Sequence, residues 1–172
     1  MSMLPISDEL APVEMRCELR ARGQVVHYRR SGAGRPLLLL SPTNDEQPLW
    51  PELLDVLRPA FLLIVPDLPP VGTDVEAWLS AVIEGLGLSR VTVVASDGFC
   101  LAALERALLE PDRIARVVMI CRGRGSEAAV GGALGSVSRS VPFLVLRHDR
   151  TAAEVMPLIE AFLERDGPTN RA

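Results

Sequence analysis

The sequence predicts a layered α/β fold with a mixed, mainly parallel sheet, and three observations carry that expectation. Five strand-length runs are apolar at successive positions: "PLLLLS" (36–41), "FLLIVPD" (61–67), "VTVVAS" (91–96), "VVMIC" (117–121) and "PFLVLRH" (142–148). Strands covered on both faces of a parallel sheet read this way. Helical patterns alternate with these runs, which implies right-handed crossovers and helices on both faces. Ahead of them, "MRCELRARGQVVHYRRSGAG" alternates polar and apolar residues around Arg22-Gly23, the pattern of an antiparallel hairpin at one edge of the sheet.

Each helical pattern has its own signals. "TDVEAWLSAVIEGLG" begins with Thr73 and carries Glu76 three residues on, a capping-box arrangement, and sets Trp78, Val82 and Leu86 along one face. Residues 98–110 set Leu101, Leu104 and Leu108 on one face and end at Pro111. "TAAEVMPLIEAFLERDG" repeats the pattern with Val155, Leu158, Ile159, Phe162 and Leu163, with Pro157 in its first turns or at a kink. "RGRGSEAAVGGALGSVSRS" (122–140), rich in Gly, Ser and Ala, reads as a flexible connection. It lacks the G-K-[ST] ending of a phosphate-binding loop.

The 172 residues suit one domain, expected over 13–165, with 1–12 loosely packed or disordered and 166–172 a disordered tail. Apolar residues make up 48% of the chain and aromatics only 4%, so the core must be layered from Leu, Val, Ile and Ala. A net charge of −4 argues against a nucleic-acid surface. No apolar run reaches membrane-spanning length and the amino terminus lacks a signal peptide's pattern, so no membrane partner is expected. Cys17, Cys100 and Cys121 form no CxxC pair, which fits a reducing cytoplasm. No cofactor and no metal is expected.

Order and local wording together resemble the α/β-hydrolase family over roughly residues 23–165. The segments that carry the resemblance are "VVHYRRSGAGRPLLLL", "FLLIVPDLPPVGTD", "LSRVTVVASDGFCLAALERALLEPDRIARVVMI" and "VPFLVLRHD". Within them "PDLPPVG" is similar to the family's Pro-Asp-Leu-Pro-Gly-x-Gly loop. The resemblance implies a three-layer domain, here with the cap reduced to 122–140 and the last strand missing.

The family's nucleophile elbow, G-x-[S/D/C]-x-G, is matched by Ala95-Ser96-Asp97-Gly98-Phe99, which places Asp97 at the nucleophile position. Asp there resembles the branch of haloalkane dehalogenases and epoxide hydrolases, whose carboxylate attacks carbon and forms an ester. The competing reading is that Asp97 caps the following helix. Replacement of both outer glycines predicts a relaxed turn. The oxyanion donors implied by the resemblance are the N–H groups of Thr43, in Ser41-Pro42-Thr43-Asn44, and of Gly98.

The chain holds two histidines. His27, in the hairpin, reads as structural. His148, at the end of the fifth run, stands in as base, with Asp149 as its orienter, because residues 149–172 hold no His where the family's base is expected. Ser96 is expected to turn away from a ligand, and Cys100 to pack rather than react. Arg122, Arg124, Arg147 and Arg150 are either solvated loop residues or the lining of an anion site.

Two functions follow: a non-catalytic binding or assembly protein with an incomplete triad, or a hydrolase of esters, epoxides or haloalkanes that uses Asp97, His148 and Asp149. A small-molecule ligand fits both. Residues 142–147 are expected to form an unguarded sheet edge, and a homodimer to form through it.

Overall fold

A computed structural model describes residues 14–41, 49–121, 123–134, 141–147 and 151–164. Its strands are β1 (Met15–Ala21), β2 (Gln24–Ser31), β3 (Arg35–Leu40), β4 (Phe61–Pro66), β5 (Val91–Ser96), β6 (Ile114–Cys121) and β7 (Phe143–Arg147). The helices are α1 (Leu49–Leu57), α2 (Val75–Gly85), α3 (Gly98–Leu109), α4 (Gly123–Leu134) and α5 (Ala152–Glu164). All seven strands join one sheet in the order β1-β2-β4-β3-β5-β6-β7. The hairpin pairs antiparallel with itself and, through β2, with β4, while β4, β3, β5, β6 and β7 are mutually parallel. The mixed sheet is therefore the one expected, hairpin included.

The continuous apolar runs follow from burial on both faces. In β3, Leu38 and Leu40 point into a core with α2, α3 and α4, while Leu37 and Leu39 point into a second core with α1 and α5. In β5, Val93 and Ala95 take the first side and Val94 the second. Alternate side chains face opposite sides of a strand, so a strand with two apolar faces needs an apolar residue at every position. The result is three layers, helix–sheet–helix.

Four local expectations need correction. Helix α2 is capped by Asp74, not Thr73: the Asp74 carboxylate accepts from Ala77 N–H at 3.0 Å. A carboxylate is at least as good a cap as a hydroxyl and lies one residue nearer the helix. In α3 the buried face is Cys100, Ala103, Leu104 and Ala107, and Leu101 is exposed. Leu104 and Leu108 face the core as expected, and small residues beside them bring that helix close to the sheet, so the leucine spacing failed at Leu101 alone. In α5, Val155, Ile159 and Leu163 are buried as expected, but Leu158 is exposed. Pro157 lies inside this helix, where it removes one donor. Finally, residues 123–134 of the supposed flexible connection form α4, anchored by Val130, which is 2% exposed within the core. Tertiary burial overrides weak propensity here. Helix α1 came with no expectation; Leu49, Trp50, Leu53 and Leu57 supply its buried stripe.

Among the described residues the sheet ends on β1 at one edge and on β7 at the other. No helix among them is long and apolar enough to cross a membrane.

Candidate active site

Strand β5 lies between β3 and β6, so its carboxyl end opens at the middle of the sheet, where ligands of open α/β sheets bind. Asp97 is the first residue beyond that end, and α3 starts at Gly98. The backbone at Asp97 has φ 41° and ψ −111°. This is a conformation that costs a residue with a side chain about 1–3 kcal/mol and persists only where its surroundings enforce it. Two hydrogen bonds do so: Asp97 N–H donates to the Ile120 carbonyl of β6 at 3.2 Å, and Cys100 N–H donates to the Asp97 carbonyl at 3.1 Å. The turn is strained, not relaxed as the loss of both outer glycines suggested.

Two side chains show how the turn survives without those glycines. Ala95 is fully buried and small enough to lie beneath α3. Phe99 leans on Trp78 of α2, with ring centroids 6.3 Å apart and planes tilted by 52°, so its bulk fills the space between two helices. The substitution that looked disruptive in the sequence is an interhelical contact.

Helix capping does not explain Asp97: its side chain makes no capping hydrogen bond to α3. The half-buried carboxylate sits beside the positive end of the helix dipole. Gly98 beside it is exposed, and a Cβ built there would meet no atom within 4 Å, so the approach to the turn is open. As the first helical residue, Gly98 also presents an N–H that no helical carbonyl can reach.

The neighbouring polar residues are structural. Ser96 is fully buried, and its hydroxyl donates to the Leu40 carbonyl at 3.5 Å, beneath the turn. The Cys100 thiol, 1% exposed, donates to the Ala95 carbonyl at 3.4 Å and lies 3.9 Å from the Cys121 sulfur. Burial, and then the adjoining Cys121 thiol, push the Cys100 pKa far up, so it is no nucleophile. Accordingly, a maleimide at neutral pH should label only the half-exposed Cys17 of the native protein, and all three thiols after denaturation. Rapid native labelling of Cys100 would contradict this burial. The same shift sets a pH dependence. An unfolded thiol ionises near about 8.5. The folded one stays protonated well above that, so stability present below this pH falls as pH rises past it, by at most about 1.4 kcal/mol per unit. Cys100→Ala should flatten that decline in urea titrations.

His27 is exposed in β2, and its carbonyl accepts from Asp67 N–H at 2.8 Å, which ties the hairpin to the end of β4. Strands β4 and β3 separate β2 from β5. That is about 14 Å at the usual strand spacing, too far for a base acting at Asp97. Thr43, His148 and Asp149 lie outside the described residues, as do Arg122 and Arg150 and the side chain of Arg124. Arg147 is exposed at the end of β7. Of the expected site, the structure thus places Asp97 and Gly98 together.

No protein-family model and no curated protein matches this chain. Solved structures do match. An epoxide hydrolase, CorEH, superposes with a TM-score of 0.54 at 24% identity, over 63% of this chain and 42% of its own. A point mutant of the haloalkane dehalogenase DatA of Agrobacterium tumefaciens gives 0.53 at 23% identity, over 62% and 41%. The carboxylesterase CesB of Bacillus subtilis gives 0.54 at 19% identity, over 63% and 43%. The fold is α/β-hydrolase-like. The chain spans about two fifths of the length of these α/β-hydrolase-fold structures, and at such identities the likeness concerns the fold alone.

Proposed function

We propose that Asp97 is a carbon-attacking nucleophile on a nucleophile elbow, and that the chain carries hydrolase chemistry toward epoxides or haloalkanes. The observation that supports this reading is the strained, uncapped backbone at Asp97. A carboxylate needed only as a cap would be bonded to the helix N–H groups, and a turn without a role would not keep the strain. In the reaction, an Asp97 carboxylate oxygen attacks an electrophilic carbon, and the C–O bond of the epoxide or the C–halogen bond breaks. The product is an ester of Asp97, with a released halide or with an alkoxide that takes a proton from water to become a hydroxyl. Water then cleaves the ester, with His148 as base and Asp149 as its orienter. Asp suits this step better than acyl transfer, for which the Thr43 and Gly98 N–H groups would serve.

Intact-mass measurement after incubation with styrene oxide and with 1-bromobutane tests the reading. An added mass equal to the epoxide, or to the alkyl group, should appear on the native chain and be absent from Asp97→Asn. Turnover that is lost in His148→Ala while the adduct remains would assign His148 as base. No adduct and no turnover with either reagent would sink the proposal.

A second reading, a binding or assembly protein, is favoured by the edge of β7. Phe143 is 39% exposed there, Leu144 and Val145 are half-buried, and Arg147 is the one charge within the strand. Pairing with the same strand of a second copy would cover the row of peptide groups such an edge presents. Sedimentation at micromolar concentration should then show a dimer that Val145→Lys splits. A soluble monomer would exclude it.

A further inference from the structure

A cavity of about 490 Å³ lies at the amino ends of the parallel strands, where Arg35 opens β3, Phe61 opens β4 and Thr92 stands second in β5. Asp97 lies five residue steps beyond Thr92, about 16 Å along a strand, so this cavity is not the site described above. We infer that it binds a small organic phosphate monoester.

Charge is the first argument. Among the described residues, three guanidiniums, from Arg35, Arg90 and Arg116, line the cavity against one carboxylate, that of Asp112. Arg116 is only 8% exposed and donates to the Leu163 carbonyl at 2.9 Å, which fixes one cation in the wall. Arg35 and Arg90 are exposed at the rim, and neither forms an ion pair among the described residues. Two exposed guanidiniums at the rim and a third held in the wall suit a phosphate monoester, which is close to a dianion at neutral pH.

Backbone conformation is the second. Arg90 has φ 58°, in the left-handed region that glycine or asparagine would occupy at less cost. The turn into β5 instead holds an arginine there, at the cavity rim. Shape is the third. The volume falls in the range of small-molecule sites, and the apolar wall that includes Phe61 suits an apolar substituent on the phosphate.

Calorimetry on the full chain tests this with three probes: phenyl phosphate, inorganic phosphate and benzyl alcohol. Phenyl phosphate should bind more tightly than inorganic phosphate, and the neutral alcohol should not bind. Arg90→Gly and Arg35→Gln should each weaken phenyl phosphate by about ten-fold, and Asp112→Asn should tighten it, since it removes the repelling charge. Arg90→Gly keeps the fold because glycine adopts this φ freely, so a loss of affinity at an unlowered melting temperature isolates the guanidinium. Absence of phenyl phosphate binding at millimolar concentration, or full affinity in both arginine variants, would overturn the inference. Equal binding of phenyl phosphate and benzyl alcohol would overturn it too, since the cavity would then read only the ring.

Discussion

Asp97→Gly should raise stability while abolishing alkylation. The turn holds a side-chain-bearing residue at φ 41° and ψ −111°, at a cost of about 1–3 kcal/mol that glycine does not incur. Glycine's extra freedom in the unfolded chain offsets about 0.5–1 kcal/mol of that relief. The net expectation is a gain of about 1 kcal/mol, measurable as a higher urea midpoint. Asp97→Asn keeps the strain and should leave stability nearly unchanged, but an amide does not attack carbon, so its adduct should vanish as well. The pair separates conformation from chemistry. A protein destabilised by glycine would mean that the carboxylate's contacts outweigh the strain, and Asp97 would then read as structural.

The same turn shows what a sequence does and does not display. Position and residue type were legible: a continuous apolar run, then Ser-Asp-Gly, then a helical pattern. Its conformation was not, because φ at Asp97 is enforced by a carbonyl of β6, more than twenty residues away in the chain. Phe99 was misjudged for a related reason. Its partner, Trp78, belongs to another helix, and no spacing rule links the two.

The sheet was read well because burial on both faces leaves a strong local trace. Helix faces were read less well, because α3 buries alanines that no hydrophobic period picks out. The cavity arginines had no trace at all. Arg35, Arg90 and Arg116 lie in three separate segments, and only the parallel register brings the starts of their strands together.

The largest loss of stability is expected at the turn that feeds β3, and it is specific to two glycines. Gly32 has φ 78°, and a Cβ there would strike the carbonyl oxygens of Phe61 and Arg58; Gly34 has φ 116°, and its Cβ would lie 2.5 Å from the Ala60 oxygen. Arg58 and Ala60 belong to the α1–β4 turn, whose N–H groups are already bonded back into the helix, Arg58 to Leu54 and Ala60 to Leu57, and Phe61 opens β4. Their oxygens are backbone atoms and cannot step aside as a flexible side chain would. Left-handed strain of about 1–2 kcal/mol and overpacking of about 1–3 kcal/mol therefore add at each site. Gly32→Ala and Gly34→Ala should each cost about 2–5 kcal/mol, a large share of the roughly 5–15 kcal/mol that holds a domain together. Gly87→Ala is the informative control: its φ is 62° but nothing lies within 4 Å, so only the strain of about 1–2 kcal/mol applies. Gly98→Ala has neither strain nor clash and should be close to neutral. Urea midpoints of the four variants should fall in that order. Gly32→Ala no worse than Gly87→Ala would mean that the α1–β4 turn yields, and that the close approach which sets Arg35 at the start of β3 is not rigid.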